Sequence, residues 1–205
     1  MKTDILPMSH PGALSRAVDI LNAGGLVAFP TDTVYGLGAL VYDGQAVSSI
    51  YTVKGRGLEK AIPVLIGDFD HLERVCSGIS RMVMRLADVF WPGPLTLVVP
   101  RHPSIPDAVS ATPTVGVRMP DFDPTRELLR LAGPLAVTSA NISGQASPST
   151  AMGVEVQLGG RIPLILDGGV TPGGIPSTVV DCTGPQPLVL RPGPLSQDEI
   201  LQAVA

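Results

Sequence analysis

Three short segments of this chain gather hydroxyls, amides and cations at the ends of apolar runs. The first, Pro30-Thr31-Asp32-Thr33-Val34-Tyr35-Gly36-Leu37-Gly38, directly follows Leu26 to Phe29. Two threonine hydroxyls and a carboxylate thus stand just outside the carboxyl end of a short buried strand, where α/β sheets bind ligands. A turn with satisfied hydroxyls reads the same. The second segment is Lys54-Gly55-Arg56-Gly57, followed by Lys60, in a chain with 14 Lys and Arg. A lysine supplies a point charge and an arginine a planar fork, and the glycines let the backbone approach a polyphosphate closely. A solvated basic loop has the same composition. The third, Thr138-Ser139-Ala140-Asn141-Ile142-Ser143-Gly144, follows Leu135 to Val137. Its hydroxyls and amide can bond phosphate or sugar oxygens without desolvating an ion, although Asn-x-Ser-Gly is also ordinary turn chemistry. Arg118, after Val115-Gly-Val, has the form of a carboxylate clamp. Ser177-Thr178 and Arg191-Pro192-Gly193 complete the set.

Common catalytic devices are missing from the sequence. There is no GxxxxGK[ST] loop, no GxGxxG after a strand and no GxSxG elbow. His10, His71 and His102 are scattered, which disfavours a zinc site or a Ser-His-Asp triad. Cys76 and Cys182 lie in apolar surroundings and read as buried free thiols. A net charge of −4 and 4% aromatic residues argue against stable non-specific nucleic-acid binding as the main role, while leaving room for a local basic pocket. No apolar run approaches the roughly 20 residues of a membrane span, and Met1 to Ser9 carries no signal-peptide pattern. The expectation is a cytoplasmic protein with no membrane contact.

The elements that position these segments follow from periodicity. Leu14, Ala17, Val18 and Leu21 have helical spacing, ended by Gly24-Gly25. Asp43 caps a helix carrying Val47, Ile50 and Tyr51 and running to about Lys54. Ile79, Met82, Val83, Leu86 and Phe90 make an amphipathic helix broken by Trp91-Pro92-Gly93-Pro94. Asp123-Pro124 opens another, with Asp as cap and Pro at its first position. A helix is expected over Ala151 to Leu158, and Ser196-x-x-Glu199 is a capping box for a last one. Strands are expected at Leu26 to Phe29, Val64 to Ile66, Leu95 to Val99, Val115 to Arg118, Leu135 to Val137, Ile162 to Leu166, Thr178 to Val180 and Leu188 to Leu190. Turns alone link some of them, near Asp167 to Ser177 and Gly184 to Pro187. That pattern gives an α/β fold: a mixed sheet with helices packed on it.

Taken together, PTDTVYGLG, KGR, WPGPLTLV, GVRMP, TSANISG, STVVD and LRPG, in this order, resemble the YrdC-like family of threonylcarbamoyl-AMP synthases from about Gly24 to Gly193. The most specific parts are Lys54 with Arg56 and Ser139 with Asn141. The resemblance implies a nucleotidyltransferase that converts L-threonine, bicarbonate or CO2 and ATP, with Mg2+, to threonylcarbamoyl-AMP and pyrophosphate. Downstream transferase proteins then pass the group to the adenosine beside the tRNA anticodon, so contact with tRNA is transient or indirect. Thr33, Arg118 and Ser177 are implied to hold L-threonine. Lys54, Arg56, Ser139, Asn141 and Arg191 are implied to hold ATP, with Lys54 and Arg56 catalytic. The resemblance also implies the YrdC-like fold, a twisted mixed sheet with helices packed on it and a concave ligand cavity; Thr31, Thr114 and Thr138 are expected to line that cavity, and no protein ligand is assigned to a metal. Neither Lys54 nor Arg56 is expected to fill a core. The sequence departs from the family at Gly57, where Pro is usual, at Lys60-Ala61-Ile62 for Lys-Pro-Leu, at Pro63, and at Asp32 for Glu. Residues 1–205 are expected to form the short, single-domain form. Two rival readings are an RNA-binding module without adenylate synthesis and a carbamoyl-adenylate-forming carbamoyltransferase domain.

Overall fold

The computed structural model describes residues 2–172 and 174–204. Its strands are β1 (Asp4–Pro7), β2 (Val27–Phe29), β3 (Gly36–Leu40), β4 (Val64–Leu65), β5 (Leu95–Pro100), β6 (Thr114–Arg118), β7 (Leu135–Ser139), β8 (Leu164–Asp167), β9 (Thr178–Asp181) and β10 (Leu188–Arg191). The helices are α1 (Ala13–Asn22), α2 (Gly44–Lys54), α3 (Leu72–Val75), α4 (Arg81–Phe90), α5 (Asp123–Ala132), α6 (Ala151–Leu158) and α7 (Gln197–Val204). All the strands join one sheet in the order β1-β8-β2-β3-β7-β4-β6-β5-β9-β10. It is mixed: β8 pairs parallel with β1 and β2, as β4 does with β6 and β5 with β9, and the other neighbours are antiparallel.

Side chains alternate across the pleat, so each strand divides its residues between two cores. Val27 and Phe29, Leu135 and Val137, and Leu164 and Leu166 pack with Ala17 and Leu21 of α1 and Leu128 and Leu129 of α5. Ala28, Ala136 and Ile165 face the opposite core, which α2, α4, α6 and α7 cover. On β5, Leu95, Leu97 and Val99 join that second core, as do Val115 and Val117 on β6. The other faces of β5 and β6 carry Thr96, Val98, Gly116 and Arg118. They line a cavity instead of meeting a helix.

Most of the expected elements are present, with local differences. Asp43 accepts from the amides of Gln45 and Ala46 at 3.0 and 2.9 Å, and α2 ends at Lys54. Ser196 and Glu199 form the reciprocal cap of α7. Asp123 is not the cap of α5: it is the first helical residue, and Phe122 holds the cap position without a side-chain bond. β3 was not expected, because Gly-Leu-Gly-Ala-Leu has poor strand character. Its glycines are explained by packing: a Cβ on Gly38 would lie 2.8 Å from the Phe29 ring. β1, the 3-10 turn Phe69–His71 and α3 also lacked a periodic signal. The described residues of the segment from Asp167 to Ser177 link strands without a helix. It is no hairpin, however, because β8 and β9 lie far apart in the sheet order. Gly184 to Pro187 does close one, between β9 and β10. Among the described residues no helix is long and apolar enough to cross a membrane.

Candidate active site

The cavity measures about 340 Å³, within the range of small-molecule sites. Its floor is apolar, from Ala61, Pro63, Leu65, Val98, Val137 and Val179, and its polar groups stand around that floor. Three of the lining residues are arginines: Arg56, Arg118 and Arg191. Each is brought by a different element, and each is tied to the backbone or to a neighbour.

Arg118 ends β6 and is 6% exposed. Its Nε donates to the Gly93 carbonyl at 2.9 Å, one terminal nitrogen donates to Thr33 Oγ1 at 3.0 Å, and the other forms an ion pair with Asp32. A guanidinium has five N–H groups, so two remain for a ligand. The Thr31 hydroxyl donates to the Val34 carbonyl at 2.7 Å. The 3.0 Å contact between the two hydroxyls therefore runs from Thr33 to Thr31. The chain of bonds from Arg118 through Thr33 to Thr31 has one direction, and the Thr33 oxygen keeps only acceptor capacity.

Arg191 ends β10 and folds back on Ser177. It donates to the Ser177 carbonyl at 2.8 Å and to its hydroxyl at 3.2 Å. Burial, and secondarily the charge of Arg118, lowers its pKa. Gly193 permits this return, since a Cβ there would lie 2.3 Å from the Thr178 amide nitrogen. Arg56 follows Gly55, whose left-handed conformation (φ 59°) ends α2. It donates to the Ala61 carbonyl at 3.0 Å, which fixes the loop beside the cavity. Burial lowers its pKa too. Tyr35, fully buried, ties the first motif to the segment leading to Ser177: its hydroxyl donates to the Gly169 carbonyl at 2.7 Å and accepts from Gly168. Burial pushes this phenol up to about 12. The Gly174 amide donates to the Thr33 carbonyl at 3.2 Å.

Comparison with known proteins settles the family. The Sua5/YciO/YrdC family model, described as telomere recombination, matches residues 19–193. The chain belongs to this family. A Mycobacterium tuberculosis relative is 41% identical over 199 residues, which cover 97% of this chain and 92% of that protein. The threonylcarbamoyl-AMP synthase of Pyrococcus abyssi is 43% identical over 190 residues, 92% of this chain and 56% of that one. The crystal structure of P. abyssi Sua5 complexed with L-threonine superposes with a TM-score of 0.90 at 42% identity, covering 93% of this chain and 57% of that one. The chain thus spans little more than half of the Pyrococcus protein.

Of the site residues expected from sequence, this Sua5/YciO/YrdC protein brings Thr31, Thr33, Arg56, Arg118, Thr138, Ser139, Ser177 and Arg191 into one cavity wall. Lys54, Asn141 and Thr114 lie outside it. Lys54 is 1% exposed, and its ammonium donates to the backbone carbonyls of Ser139 and Asn141. The expectation that Lys54 fills no core is therefore wrong. It is a buried tie between the end of α2 and the TSANISG loop, whose Ser143 amide also bonds the Lys54 carbonyl at 2.8 Å. Burial, and secondarily the charge of Arg56, lowers its pKa to about 8. Asn141 spends its amide hydrogens on the carbonyls of Ile142 and Gln145, and its buried Oδ1 has no partner among the described residues. Thr114 shares the face of Gly116 and Arg118 but sits at the outer end of β6, its hydroxyl 3.0 Å from that of Thr112. Sequence reasoning missed Thr96, which lies in the wall 2.7 Å from the Ser177 hydroxyl. Its signal was present: it is the polar residue among Leu95, Leu97 and Val99, on the strand's other face.

Proposed function

We propose that this chain is an L-threonylcarbamoyladenylate synthase that joins L-threonine, bicarbonate or CO2 and ATP. The observation that carries this reading is the convergence of Arg56, Arg118 and Arg191 on one small cavity rich in hydroxyls, in a chain of this family. Three guanidiniums with a single carboxylate, Asp32, in their hydrogen-bond network make the site electropositive, which suits the meeting of a carboxylate with a polyphosphate. The name of the Pyrococcus relative and the threonine held by its structure point the same way.

In this reading the amine of L-threonine takes up CO2 and loses a proton, forming N-carboxythreonine. Its carbamate oxygen attacks the α-phosphorus of ATP. The bond from that phosphorus to the bridging oxygen breaks, and pyrophosphate leaves with the electron pair. Arg118, with its two remaining N–H groups, takes the amino-acid carboxylate, and Thr33 and Ser177 flank it. Arg56, Ser139 and Arg191 face the phosphates, where fixed donors offset the charge that develops on the leaving group. Lys54 acts by holding the Ser139–Asn141 backbone, and Asn141 stiffens the same loop by donating to the Ile142 and Gln145 carbonyls. Among the described residues no cluster of three or more His, Cys, Asp or Glu is placed to hold a metal. Magnesium brought with ATP would neutralise phosphate charge there. The product is then consumed by transferase proteins acting on tRNA, in the cytoplasm. The test is pyrophosphate release with a panel of amino acids. L-Threonine should support it, serine less well and valine hardly at all. Equal rates with valine and threonine would contradict the pocket assignment.

A further inference from the structure

Thr96 was assigned no role by its sequence context, yet it is buried at 4% exposure in the wall of the cavity. The strand register puts Thr96 opposite Val179 on β9, and the Thr178 amide bonds the Pro94 carbonyl at 2.9 Å. That pairing fixes Thr96 beside Ser177, with the two hydroxyl oxygens 2.7 Å apart. Space around Thr96 is tight as well: a Cβ on Gly116 would lie 3.1 Å from its methyl.

The hydrogens of this group can be counted. Arginine only donates, so the Ser177 oxygen is an acceptor toward Arg191. Two hydroxyl hydrogens then remain, one on Ser177 and one on Thr96. Only one can lie between the two oxygens. Among the described residues the Thr96 hydroxyl has no second partner. Whichever direction the shared bond takes, one O–H points free and at least one lone pair is open on the other oxygen. If Thr96 donates to Ser177, the Ser177 hydrogen is free and Thr96 can accept. If Ser177 donates to Thr96, the Thr96 hydrogen is free and Ser177 keeps one lone pair. A third hydroxyl within reach of both oxygens closes a ring of three, with every hydrogen used. A methyl in the same place leaves a buried donor unmet, which is costly.

We propose that Thr96 is a specificity-determining residue which, paired with Ser177, reads the side-chain hydroxyl of the amino-acid substrate. This rests on the synthase reading above. The pair discriminates threonine from valine, its isostere without the hydroxyl, while the arginines handle the charged groups common to both.

The experiment measures kcat/KM for threonine and for valine in the parent protein, Thr96→Val and Thr96→Ser, with pyrophosphate release as the readout. Thr96→Val keeps the shape and removes the hydroxyl. It should lower the threonine-to-valine ratio by about tenfold or more, mainly through a higher KM for threonine, while the thermal shift given by ATP alone stays parental. Thr96→Ser restores the hydroxyl and should bring the ratio back to within about threefold of the parent. A parental ratio in Thr96→Val overturns the assignment. If Thr96→Val does not fold, Ser177→Ala removes the other half of the pair, and a parental ratio there overturns it equally. A parent that turns over ATP without regard to threonine sinks the synthase reading, and this assignment with it. That failure shows in the parent alone, before any variant is made.

Discussion

Lys54 and Arg56 are two positions apart and do different work. Arg56→Ala removes a guanidinium from the cavity wall but nothing from the core. Its unliganded melting temperature should stay near the parental value. It should lose most of the stabilisation that ATP confers, since that follows affinity, and about a hundredfold in rate. Lys54→Ala also removes the donor of two backbone carbonyls and empties a buried space. It should therefore lose roughly 2–4 kcal/mol of stability in a denaturant titration. A parental unfolding midpoint in Lys54→Ala would contradict the buried tie. The lowered pKa of Lys54 adds a pH signature. The unfolded lysine keeps its proton up to its ordinary value of 10.5, whereas the folded one loses it near 8. Between these values the unfolded chain binds more protons, so this group makes stability rise with pH. The same loss removes a positive charge behind the Ser139–Asn141 loop, and turnover should fall. Activity and the stability gap between the parent and Lys54→Met should thus move in opposite directions above about pH 8. The thiols supply a control. Burial pushes Cys76 up to about 11 and Cys182 up to about 12. Neither is a thiolate near neutrality, and the alanine variant of each should retain parental turnover after treatment with a thiol reagent.

The elements present these residues through strand alternation and through two returns of the chain. On β5 and β6 one face fills a core while the other carries Thr96, Gly116 and Arg118 to the cavity. The segment after β8 reaches Ser177 by way of the Tyr35 hydroxyl. Tyr35→Phe should cost about 1–2 kcal/mol of stability, and it should raise the KM for threonine more than it changes ATP binding. An unchanged KM would mean that this tie does not position Ser177. The return after β10 needs Gly193, and Gly193→Ala should detach Arg191 from Ser177, weakening turnover more than secondary structure. How far the sequence foretold this depended on the signal each piece carried. α2, α4 and α7 were legible from caps and helical period. β3 was hidden because its glycines answer to the Phe29 ring packed beneath them, a tertiary demand that strand propensity does not contain. Arg56, Arg118, Ser177 and Arg191 could be named as a set from their motifs. The burial of Lys54 could not, because a lysine beside glycines in a charged stretch reads as solvated. Nothing local to it reveals the carbonyls of a loop some 85 residues away.

At the scale of the whole molecule, one sheet carries a helix-covered core on each face and leaves an uncovered stretch of β7, β4, β6, β5 and β9 to line the site. The charged groups sit at the ends of β6 and β10 and just after α2, so they converge only once the sheet is complete. A synthase of this kind must bring threonine, bicarbonate and ATP together in this cavity. The most direct measurement supplies the protein with ¹³C-labelled bicarbonate, L-threonine, ATP and magnesium, then follows pyrophosphate and identifies the adenylate by mass spectrometry. The expected product is an adenylate carrying one labelled carbon and one threonine, formed in equal amount to pyrophosphate and absent when threonine or bicarbonate is withheld. Pyrophosphate release that ignores threonine, or an adenylate carrying a carbamoyl group without the amino acid, would contradict it.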